Sequence, residues 1–512
     1  MQPSDGFTQP IWTQSTRPPA YEKTGGGFHA EVVVIGAGIS GLTTAYLLAV
    51  EGRDVVVLDA GPIGAGQTDR TSAHLTSIID DRFSLLESRH NVETSRLAYA
   101  SHAAAIDRIE QIVRDEGIDC DFARVEAYLF AGPAGDEKIL EEEFGASQRA
   151  GASVERVDAV ASLSAQFAGL KFGAQAIFDP VRYLYGLAAA ATGRGVRIFC
   201  GRRVGDVQGA DPKTGNPARV TFHDNEEVIT ATHVVVATNV PAPINDWTGI
   251  YLKQAAYRTY MVGLAIEPGS IQNALYWDTA SAYHYARVLA QPQSGRDVLL
   301  VGGEDHKTGQ GGATPERFEN LIHWARSVFP NVGEAVSRWS GQVVETGDGL
   351  AFIGRAPTKG ENVYCITGDS GMGLTHGTLG AILIADLIAG RTNPWEAIYD
   401  PARKLLNRDL VAEALNANAQ YTDYLTPGEI SNESDLQPGQ GALMRQGMTK
   451  LAVYRDDSGT VHTMSAVCPH LKCIVHWNGV ERSWDCPCHG SRFDCQGRLL
   501  VGPSIDDLPS AE

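Results

Sequence analysis

Basic residues are scarce in this sequence, and long apolar runs are missing from it. The 512 residues contain 42 Lys and Arg against 61 Asp and Glu, which gives a formal net charge of −19. Because nucleic acids and anionic membrane surfaces bind basic patches, this charge disfavours both as partners. Apolar stretches such as residues 381–390 reach about half of the roughly 20 residues that a membrane-spanning helix needs. We therefore expect no membrane span.

Signals for export are missing as well. The first 20 residues contain neither the apolar run of a secretory signal nor the arginine pair of a twin-arginine leader. We therefore expect a cytoplasmic protein. Internal repeats and low-complexity tracts are also lacking. At roughly 150 residues per domain, the length predicts two to four domains.

The cysteines are few and unevenly placed. Of eight, three are scattered singly (Cys120, Cys200 and Cys365), and five lie between residues 468 and 495 (Cys468, Cys473, Cys486, Cys488 and Cys495). Such clustering indicates a local metal site or a local disulfide.

A strand-helix-strand unit typical of nucleotide binding lies near the start. Residues 31–35 read as a strand, with a β-branched apolar run at 32–35 after Glu31. Residues 42–50 form a helical pattern, and residues 54–58 form a second strand pattern. Gly36, Gly38 and Gly41 lie between the first strand and the helix, where glycines permit a tight turn and a close approach to a pyrophosphate. Asp59 ends the second strand, where a carboxylate can accept the ribose hydroxyls of FAD or NAD.

A second glycine-rich junction favours FAD over NAD. Residues 368–375 follow a predicted strand at 363–367 and precede an apolar helix at 379–388. A helix N-terminus there would stabilise the negative charge of a reduced flavin. Further strands are predicted at 234–237 and 297–301, and helices between 82 and 116.

These segments resemble the D-amino acid oxidase and glycine oxidase family of FAD-dependent oxidoreductases. The matching stretches are residues 34–42, 58–61, 64–66, 234–239 and 347–354, the last leading to 368–375. The resemblance implies an α/β fold, with a Rossmann-like FAD-binding domain and an inserted α+β substrate domain. It also implies that FAD is bound by Gly36, Gly38, Ile39, Ser40, Gly41, Asp59, Ala60, Thr71, Ser72, Val204, Ala237, Thr238, Gly371, Met372, Gly373, Leu374 and Thr375.

Some relatives attach FAD covalently to a histidine near this position. The attachment motif is not reproduced around His74, which we therefore interpret as a polar loop residue close to the cofactor.

The family oxidises C–N bonds of amines and amino acids, so the resemblance implies a substrate pocket over the flavin, in residues 251–345. Arginine offers a fork for a substrate carboxylate, and tyrosine offers an aromatic wall with a polar tip. The candidate catalytic residues are Tyr257, Arg258, Tyr283, Tyr285, Arg287 and His306, with Tyr260 and Trp339 as further lining candidates. Residues 302–310 are similar to a signature of members fused to a second redox domain, with no role that the sequence assigns.

The cysteine cluster is interleaved with histidines. Cys468 and His470 form one pair, and Cys486 and His489 a second. Two thiolates and two imidazoles suit tetrahedral zinc or a Rieske 2Fe-2S cluster. Zinc modules more often pair cysteine with cysteine and histidine with histidine, so this spacing favours the Rieske cluster over zinc or a set of disulfides.

Residues 436–506 resemble a Rieske domain. The resemblance implies that Cys468, His470, Cys486 and His489 bind the cluster, and that Cys473 and Cys488 form a disulfide. Ser491 occupies the position of a serine that donates to a cluster sulfur, whereas Phe493 replaces a tyrosine donor. We therefore expect a reduction potential between those of respiratory and oxygenase-type centres. An Asp/Glu-x2-His-x4-His motif is missing, which argues against a mononuclear-iron oxygenase.

The sequence divides into four predicted regions. They are a leader at 1–30, a flavoprotein body at 31–395, a linker with a helix at 396–435, and a small all-β Rieske domain at 436–512. Within the body, the FAD-binding parts are about 31–90, 180–250 and 340–395, and the substrate part is about 91–179 and 251–340.

Three functions fit two redox centres in one chain. In the first, an amine or amino acid reduces FAD, and the cluster passes electrons singly to an external acceptor such as a ferredoxin or a quinone. In the second, the cluster feeds electrons to the flavin for a reduction or a monooxygenation. In the third, the chain is a non-enzymatic electron carrier or sensor. We favour the first.

Overall fold

The computed structural model describes most of the chain. It leaves out residues 1–5, 15, 24–25, 133–135, 226, 242–248, 292–294, 358–359, 406–415, 418 and 512.

The helices of the described residues, in chain order, are α1 Ile39–Val50, α2 Phe83–Arg89, α3 Val92–Glu116, α4 Glu137–Ala150, α5 Pro180–Gly193, α6 Glu316–Val328, α7 Gly373–Ile388 and α8 Glu396–Tyr399. The strands of the body are β1 His29–Ile35, β2 Val55–Asp59, β3 His74–Leu75, β4 Ala123–Phe130, β5 Val154–Val157, β6 Gly169–Ile177, β7 Arg197–Cys200, β8 Val204–Gln208, β9 Ala218–Phe222, β10 Val228–Asn239, β11 Gln254–Ile266, β12 Leu275–Asp278, β13 Tyr285–Leu289, β14 Asp297–Lys307, β15 Ala335–Thr346, β16 Phe352–Arg355 and β17 Val363–Thr367. The strands that follow are β18 Gly441–Gln446, β19 Thr449–Arg455, β20 Val461–Ser465, β21 His476–Asn478, β22 Ser483–Asp485, β23 Arg492–Asp494 and β24 Leu499–Val501.

The first sheet of the body is a mainly parallel sheet of the Rossmann type. Its order is β16-β17-β10-β1-β2-β7, with β9 on β10 and β8 on β9. The strands from β17 to β7 run parallel, and β1 is buried on both faces, as its continuous apolar run predicts. Helix α1 begins three residues before its predicted start, because Gly38 already has an extended backbone and acts as the N-cap.

The predicted helical region at 82–116 is two helices. Asn91 breaks it, because the Asn91 side chain accepts a hydrogen bond from the Thr94 amide at 2.9 Å and so caps α3. Helix α3 then packs against α7, which places it beside the parallel sheet.

The second sheet of the body is mostly antiparallel. Its order is β15-β11-β14-β13-β12-β4-β6-β3, with β5 on β6. A register shift interrupts the pairing of β11 with β14, where Thr259 alone opposes Glu304 and Asp305. This β-bulge matters below, because bulges redirect side chains.

The C-terminal region is all β. It contains a sheet in the order β18-β19-β20 and another in the order β21-β22-β23-β24. Together with the two sheets of the body, it confirms the predicted fold class. The linker predicted at 396–435 contains α8 and a 3-10 helix at Gln420–Leu425, and its residues 406–415 and 418 fall outside the described residues. In the described part of the chain, no helix is both long enough and apolar enough to cross a membrane. The domain boundaries given above remain a proposal.

Candidate functional site

A cavity of about 720 Å³ is lined by both sheets of the body and by the C-terminal region between Arg498 and Asp507. This volume is within the range of small-molecule and cofactor sites. Fourteen of the residues that the family resemblance assigns to FAD line it: Gly36, Gly38, Ile39, Ser40, Asp59, Ala60, Thr71, Ser72, Val204, Ala237, Thr238, Gly371, Gly373 and Leu374.

The three other residues assigned to FAD lie beside that lining. Gly41 packs α1 onto the preceding turn, where a Cβ atom would collide with the carbonyl oxygen of Gly36. Met372 lines an adjoining smaller cavity. The Thr375 hydroxyl faces the ring of His102, with 2.7 Å from Oγ1 to Nδ1.

The glycine turn fits a pyrophosphate. Gly36 has a φ of +109°, and a Cβ atom there would collide with the carbonyl oxygen of Ala237. At Gly38, a Cβ atom would meet only the Thr68 hydroxyl oxygen, 3.2 Å away, and would otherwise fill the cavity. The open space in front of the α1 amides is therefore the place where a helix N-terminus binds phosphate.

Asp59 lies at the carboxyl end of β2 and lines the same cavity. Its two carboxylate oxygens accept hydrogen bonds from the amides of Ala37, at 2.6 Å, and Gly61, at 2.7 Å. Burial raises the pKa of Asp59 to about 6 in spite of these bonds. Two backbone amides thus fix the orientation of the Asp59 carboxylate at the cavity wall.

A smaller cavity of about 100 Å³ adjoins the first. The two share lining residues: Thr71, Ser72, Thr259, Tyr285, Val343, Gly371, Gly373 and Leu374. Three carboxyl groups, those of Asp80, Asp305 and Glu345, also line the smaller cavity. A Cβ atom on Gly371 would collide with the carboxylate of Asp80, which places Asp80 against the glycine loop assigned to the flavin ring.

The carboxyl groups of the smaller cavity are electrostatically perturbed. Burial raises the pKa of Asp80 to about 7, although the Tyr283 hydroxyl donates to both of its oxygens at 2.7 and 2.8 Å. Asp305 lines the cavity as an exposed residue, yet the protein around its carboxyl group removes enough water to raise its pKa to about 6. Burial, together with the charges of neighbouring aspartates, raises the pKa of Glu345 well above its ordinary value.

The structure brings two of the predicted catalytic residues, Tyr283 and Tyr285, into the smaller cavity. Neither predicted arginine lines it. Arg287 is buried and donates to the carbonyl oxygens of Ala73, at 2.7 Å, and Phe178, at 3.2 Å. Arg258 is buried against Ser340 and Glu481. The expected arginine fork for a substrate carboxylate is therefore not formed by these two residues.

The remaining candidates also lie outside the lining of the smaller cavity. The ring nitrogens of His306 face the Tyr260 hydroxyl, at 3.0 Å, and the Lys307 carbonyl oxygen, at 2.9 Å. The Tyr257 ring lies 5.9 Å from the Lys307 ammonium. Trp339 is buried and donates to the Arg70 carbonyl oxygen.

His74 lines the smaller cavity as well. Its ring nitrogens face the Ser72 hydroxyl, at 2.9 Å, and the Ala286 carbonyl oxygen, at 3.3 Å. Burial lowers its pKa to about 3. The imidazole is thus neutral and engaged by its neighbours, but it lies in the short strand β3 and not in the predicted loop.

Sequence reasoning missed the three carboxyl groups. Asp305 reaches the cavity because it lies in the bulge of β14 opposite Thr259, next to Glu304 with its φ of +60°. One signal was present: Asp305 belongs to the unassigned stretch 302–310. The far end of that stretch touches the cysteine cluster, since the Gln310 side chain donates to the Pro487 carbonyl oxygen at 3.0 Å.

The predicted cluster ligands come together at two loops, β20–β21 and β22–β23. Cys468 and Cys486 are buried free thiols, and the rings of His470 and His489 lie 5.2 Å apart between centroids. A hydrogen bond between the two thiols lowers the pKa of Cys468 and raises that of Cys486. The Nδ1 atom of His489 is buried without a hydrogen-bond partner in the described structure, as fits a metal ligand.

The disulfide predicted between Cys473 and Cys488 is confirmed. The sulfur atoms of Cys473, Cys486 and Cys488 lie within 4.8 Å of one another, but the disulfide removes two of them as ligands. The bond therefore ties the two ligand loops together and leaves one thiol on each for iron.

Ser491 is buried behind the cluster ligands. Its hydroxyl hydrogen-bonds with Cys468, which contributes to the lowered pKa of that thiol, and accepts from the Ser504 amide at 2.9 Å. Phe493 is buried with no hydroxyl to offer. One polar side chain is thus in place to tune the cluster from this side.

The cluster loops dock against the body at the wall of the larger cavity. The Gln342 side chain donates to the Gly490 carbonyl oxygen at 3.0 Å, and Gln342 lines that cavity. The Tyr251 ring packs edge-on against both histidines, with centroids 5.0 Å from His470 and 5.2 Å from His489. The histidine side of the cluster site therefore faces the flavoprotein body.

A buried carboxylate joins the C-terminal domain to the body. Glu481 lies 3.4 Å from Arg70 and 3.3 Å from Arg258, and it accepts hydrogen bonds from Ser340 and from the Thr8 amide at 2.9 Å. Burial alone would raise its pKa, but the arginines outweigh burial and hold that pKa below its ordinary value. The ion pairs of Glu481 with Arg70 and Arg258 thus hold the C-terminal domain, and with it the cluster site, against the body.

Comparisons with known proteins match this division. Residues 31–387 match the family model described as FAD dependent oxidoreductase, and residues 427–512 match the Rieske [2Fe-2S] domain. The Rieske 2Fe-2S iron-sulfur protein YhfW of Bacillus subtilis (strain 168) is 30% identical over 507 residues, or 97% of this chain and 96% of the relative.

More distant likenesses concern single regions. The chloroplastic cytochrome b6-f complex iron-sulfur subunit of Arabidopsis thaliana is 36% identical over 20% of this chain and 39% of that protein. The structure of glycine oxidase from Geobacillus kaustophilus aligns with a TM-score of 0.62 at 19% identity, over 74% of this chain and all of that one. The structure of L-amino acid deaminase from Proteus myxofaciens aligns with a TM-score of 0.60 at 15% identity, over 78% of this chain and 98% of that one. At these identities the two structures show the fold.

Proposed function

Because the chain belongs to the FAD dependent oxidoreductase family and also contains a Rieske [2Fe-2S] domain, we propose that it oxidises a C–N bond of an amine or amino acid. FAD accepts the two electrons, and the cluster passes them one at a time to an external acceptor. The observation that carries the proposal is the hydrogen bond between Gln342, on the FAD cavity wall, and Gly490, beside the ligand His489. A cluster loop built onto the cavity wall suits electron transfer within the chain.

The overall reaction balances with a one-electron carrier. One protonated amine, one water and two oxidised acceptor molecules give a carbonyl compound, ammonium, two reduced acceptor molecules and two protons. The carbon–hydrogen bond next to nitrogen breaks, and water adds to the resulting imine. A ferredoxin-like protein or a quinone has the chemistry of such an acceptor.

The residues of the chain have separate tasks in this proposal. Gly36, Gly38 and Asp59 hold the ADP half of FAD, and the glycine loop at 371–373 faces its ring. FAD supplies a two-electron acceptor next to the smaller cavity. The four ligands Cys468, His470, Cys486 and His489 hold the cluster, which supplies a one-electron carrier. Tyr283 and Tyr285 wall the substrate site, and the disulfide keeps the ligand loops in place.

The proposal is tested by anaerobic reduction of the full-length protein carrying both cofactors. Flavin absorbance and the electron-spin signal of the reduced cluster are followed together after mixing with amines and amino acids. We expect the flavin to bleach first and the cluster signal to appear next. Flavin bleaching without a cluster signal contradicts transfer within the chain, and faster bleaching by reduced ferredoxin than by any substrate favours the reverse direction.

A ligand variant separates the two centres. Cys486→Ser removes a cluster ligand, so flavin bleaching by substrate should persist while reduction of a one-electron acceptor is lost. Cys495→Ser is the matched control, because Cys495 is a half-buried free cysteine outside the ligand set. The FAD content of each variant, measured by absorbance, shows that the body has kept its fold.

A further inference from the structure

The C-terminal segment, residues 498–507, belongs to the part of the chain that matches the Rieske domain, yet it lies on the wall of the larger cavity. The other residues of that lining lie between Ile35 and Gly377, in the part that matches the FAD dependent oxidoreductase family. The members of the segment that line the cavity are Arg498, Leu499, Leu500, Val501, Gly502, Ser504, Ile505 and Asp507. The cavity that fits FAD is therefore walled by both domains.

The segment lies at the end of the cavity where Asp59 is found. The backbone carbonyl oxygen of Asp59 accepts a hydrogen bond from the Arg202 amide at 3.3 Å, which places the following residue, Arg203, beside the end of β2. The Arg203 side chain donates to the carbonyl oxygens of Leu499, at 2.8 Å, and Ile505, at 3.4 Å. Because Asp59 is assigned to the ADP half of FAD, the segment borders that half.

Further polar contacts anchor the segment. Arg203 lies 3.7 Å from the Asp507 carboxylate, and Asp507 in turn accepts a hydrogen bond from the Leu499 amide at 2.8 Å. Next to it, the Asp506 carboxylate lies 2.9 Å from a ring nitrogen of His223 in the body. The segment is thus closed on itself and fastened to the body by two basic side chains.

The segment offers apolar surface to the cavity. Leu500, Val501 and Ile505 line the cavity and are half-buried. The faces of an adenine ring are mostly apolar, and covering apolar side chains with them is favourable. The side chains on this wall therefore suit the nucleotide end of FAD.

The same segment supports the cluster loop. Ser504 lines the cavity, and its amide donates to the Ser491 hydroxyl at 2.9 Å. That hydroxyl hydrogen-bonds with the cluster ligand Cys468. One segment thus contacts the FAD cavity on one side and the support of a cluster ligand on the other.

We propose that the Rieske domain completes the FAD site, with the C-terminal segment as a wall over the ADP half of the cofactor. FAD then contacts both domains, so FAD binding and docking of the Rieske domain stabilise each other. A Rieske domain that left this position would give up its contact with FAD. The inference goes beyond the proposed function, since it concerns how FAD is held and is independent of the substrate.

Hydrogen exchange tests the wall in the native sequence. The full-length protein with its cluster is freed of FAD and followed by mass spectrometry before and after FAD is added back. We expect FAD to slow exchange in the C-terminal segment as well as in the glycine turn at 36–41. The hairpin at 441–455, none of whose residues lines the cavity, is the internal control and should not change. Protection of 36–41 without protection of the C-terminal segment overturns the inference.

A variant tests the wall in protein that carries both cofactors, so the test does not require an FAD-free fold. Ile505→Ala removes apolar atoms from the wall, and FAD release after dilution, followed by the rise of flavin fluorescence, should be about fivefold faster. Ile430→Ala is the matched control: it trims a half-buried isoleucine of the same region that packs against Leu436 and Val453 and does not line the cavity. It should keep the native rate, and a native rate in Ile505→Ala overturns the inference.

A double variant tests Arg203 as a positioning residue. Arg203→Gln removes the donors that hold the segment, so FAD release should be faster. If Arg203 acts through the segment, adding Ile505→Ala to Arg203→Gln should speed release by clearly less than fivefold, because the wall is already loosened. Effects that multiply fully would show that Arg203 does not act by anchoring the wall.

Discussion

The side-chain amide of Gln342 donates a hydrogen bond of 3.0 Å to the backbone carbonyl oxygen of Gly490. Gln342 is on β15 and lines the FAD cavity, whereas Gly490 directly follows the cluster ligand His489. Gly490 also packs so closely on β11 that a Cβ atom would collide with Ala256. This hydrogen bond and this close backbone contact hold the cluster loop against the wall of the FAD cavity.

Gln342→Met should slow reduction of the cluster. The variant keeps the length of the side chain but leaves the Gly490 carbonyl oxygen without its donor, a loss of about 1 kcal/mol, so the loop can move away from the cavity wall. We expect a several-fold lower rate of cluster reduction in rapid mixing, with unchanged FAD and iron content. Gln208→Met, at an exposed site, should retain the native rate. An unchanged rate in Gln342→Met would contradict this route.

Ser491→Ala should lower the reduction potential of the cluster. The Ser491 hydroxyl hydrogen-bonds with Cys468, and a bond to a ligand sulfur stabilises the more negative reduced state. A difference of about 1.4 kcal/mol between redox states corresponds to about 59 mV for one electron, so a drop on that order is expected in a redox titration. Phe493→Tyr, which introduces the missing donor, should raise the potential. A Ser491→Ala variant with the native potential would refute the hydrogen-bond explanation.

The redox centres could be predicted from the sequence because their signals are local. The glycines of residues 36–41 lie within one turn, and each cluster loop carries its cysteine and histidine within four residues, so spacing alone constrains the geometry. The lining of the smaller cavity could not be predicted in this way. Asp80, Asp305 and Glu345 come from three distant segments, and Asp305 reaches the cavity through a bulge in β14. Alternation along β11 gave no sign of that bulge, so Asp305 was not predicted to reach the cavity.

Glu481→Gln should destabilise the junction between the body and the Rieske domain. The native carboxylate is buried with Arg70 and Arg258, and removing one partner of a buried ion pair costs about 3 kcal/mol or more. A lower Tm in calorimetry is expected. Glu433→Gln, at an exposed site of the same region, should leave the Tm unchanged, and an equal Tm for both variants would show that the ion pair does not stabilise the junction.

The ion pairs of Glu481 with Arg70 and Arg258 also make the stability of the protein depend on pH. Because the pKa of Glu481 is lower in the folded chain than its unfolded value, its contribution is complete above the unfolded glutamate pKa of about 4.3 and is lost as the pH falls through the folded value. The difference in Tm between native protein and Glu481→Gln should therefore shrink as the buffer is made more acidic than about pH 4.3. A difference that stays constant on acidification would contradict the assignment.

Tyr283→Phe should shift the pH dependence of amine binding upward. Asp80 has a pKa of about 7, because burial raises it. The Tyr283 hydroxyl opposes burial by donating to both carboxylate oxygens. Among the surrounding charges, Asp81 and Asp305 raise this pKa and Arg82 lowers it, and the substitution leaves all three in place. Without the phenol, the ionised carboxylate loses a donor and its pKa rises.

The direction of the shift follows from the charge of the ligand. A protonated amine binds an ionised carboxylate better than a neutral one. The affinity for tert-butylamine, which cannot be oxidised because the carbon next to its nitrogen has no hydrogen, should therefore be full above the pKa of Asp80 and should fall as the pH drops through it. Loss of a hydrogen bond to a charged group, about 1.5 kcal/mol, corresponds to about one pKa unit, so the midpoint in Tyr283→Phe should lie about one pH unit higher. Tyr128→Phe is the matched control, since Tyr128 donates to the remote carboxylate of Glu126, and it should keep the native midpoint. Calorimetric titrations at several pH values around neutrality measure the midpoint of each variant. A midpoint in Tyr283→Phe equal to that of the native protein would show that Asp80 does not govern binding of the amine.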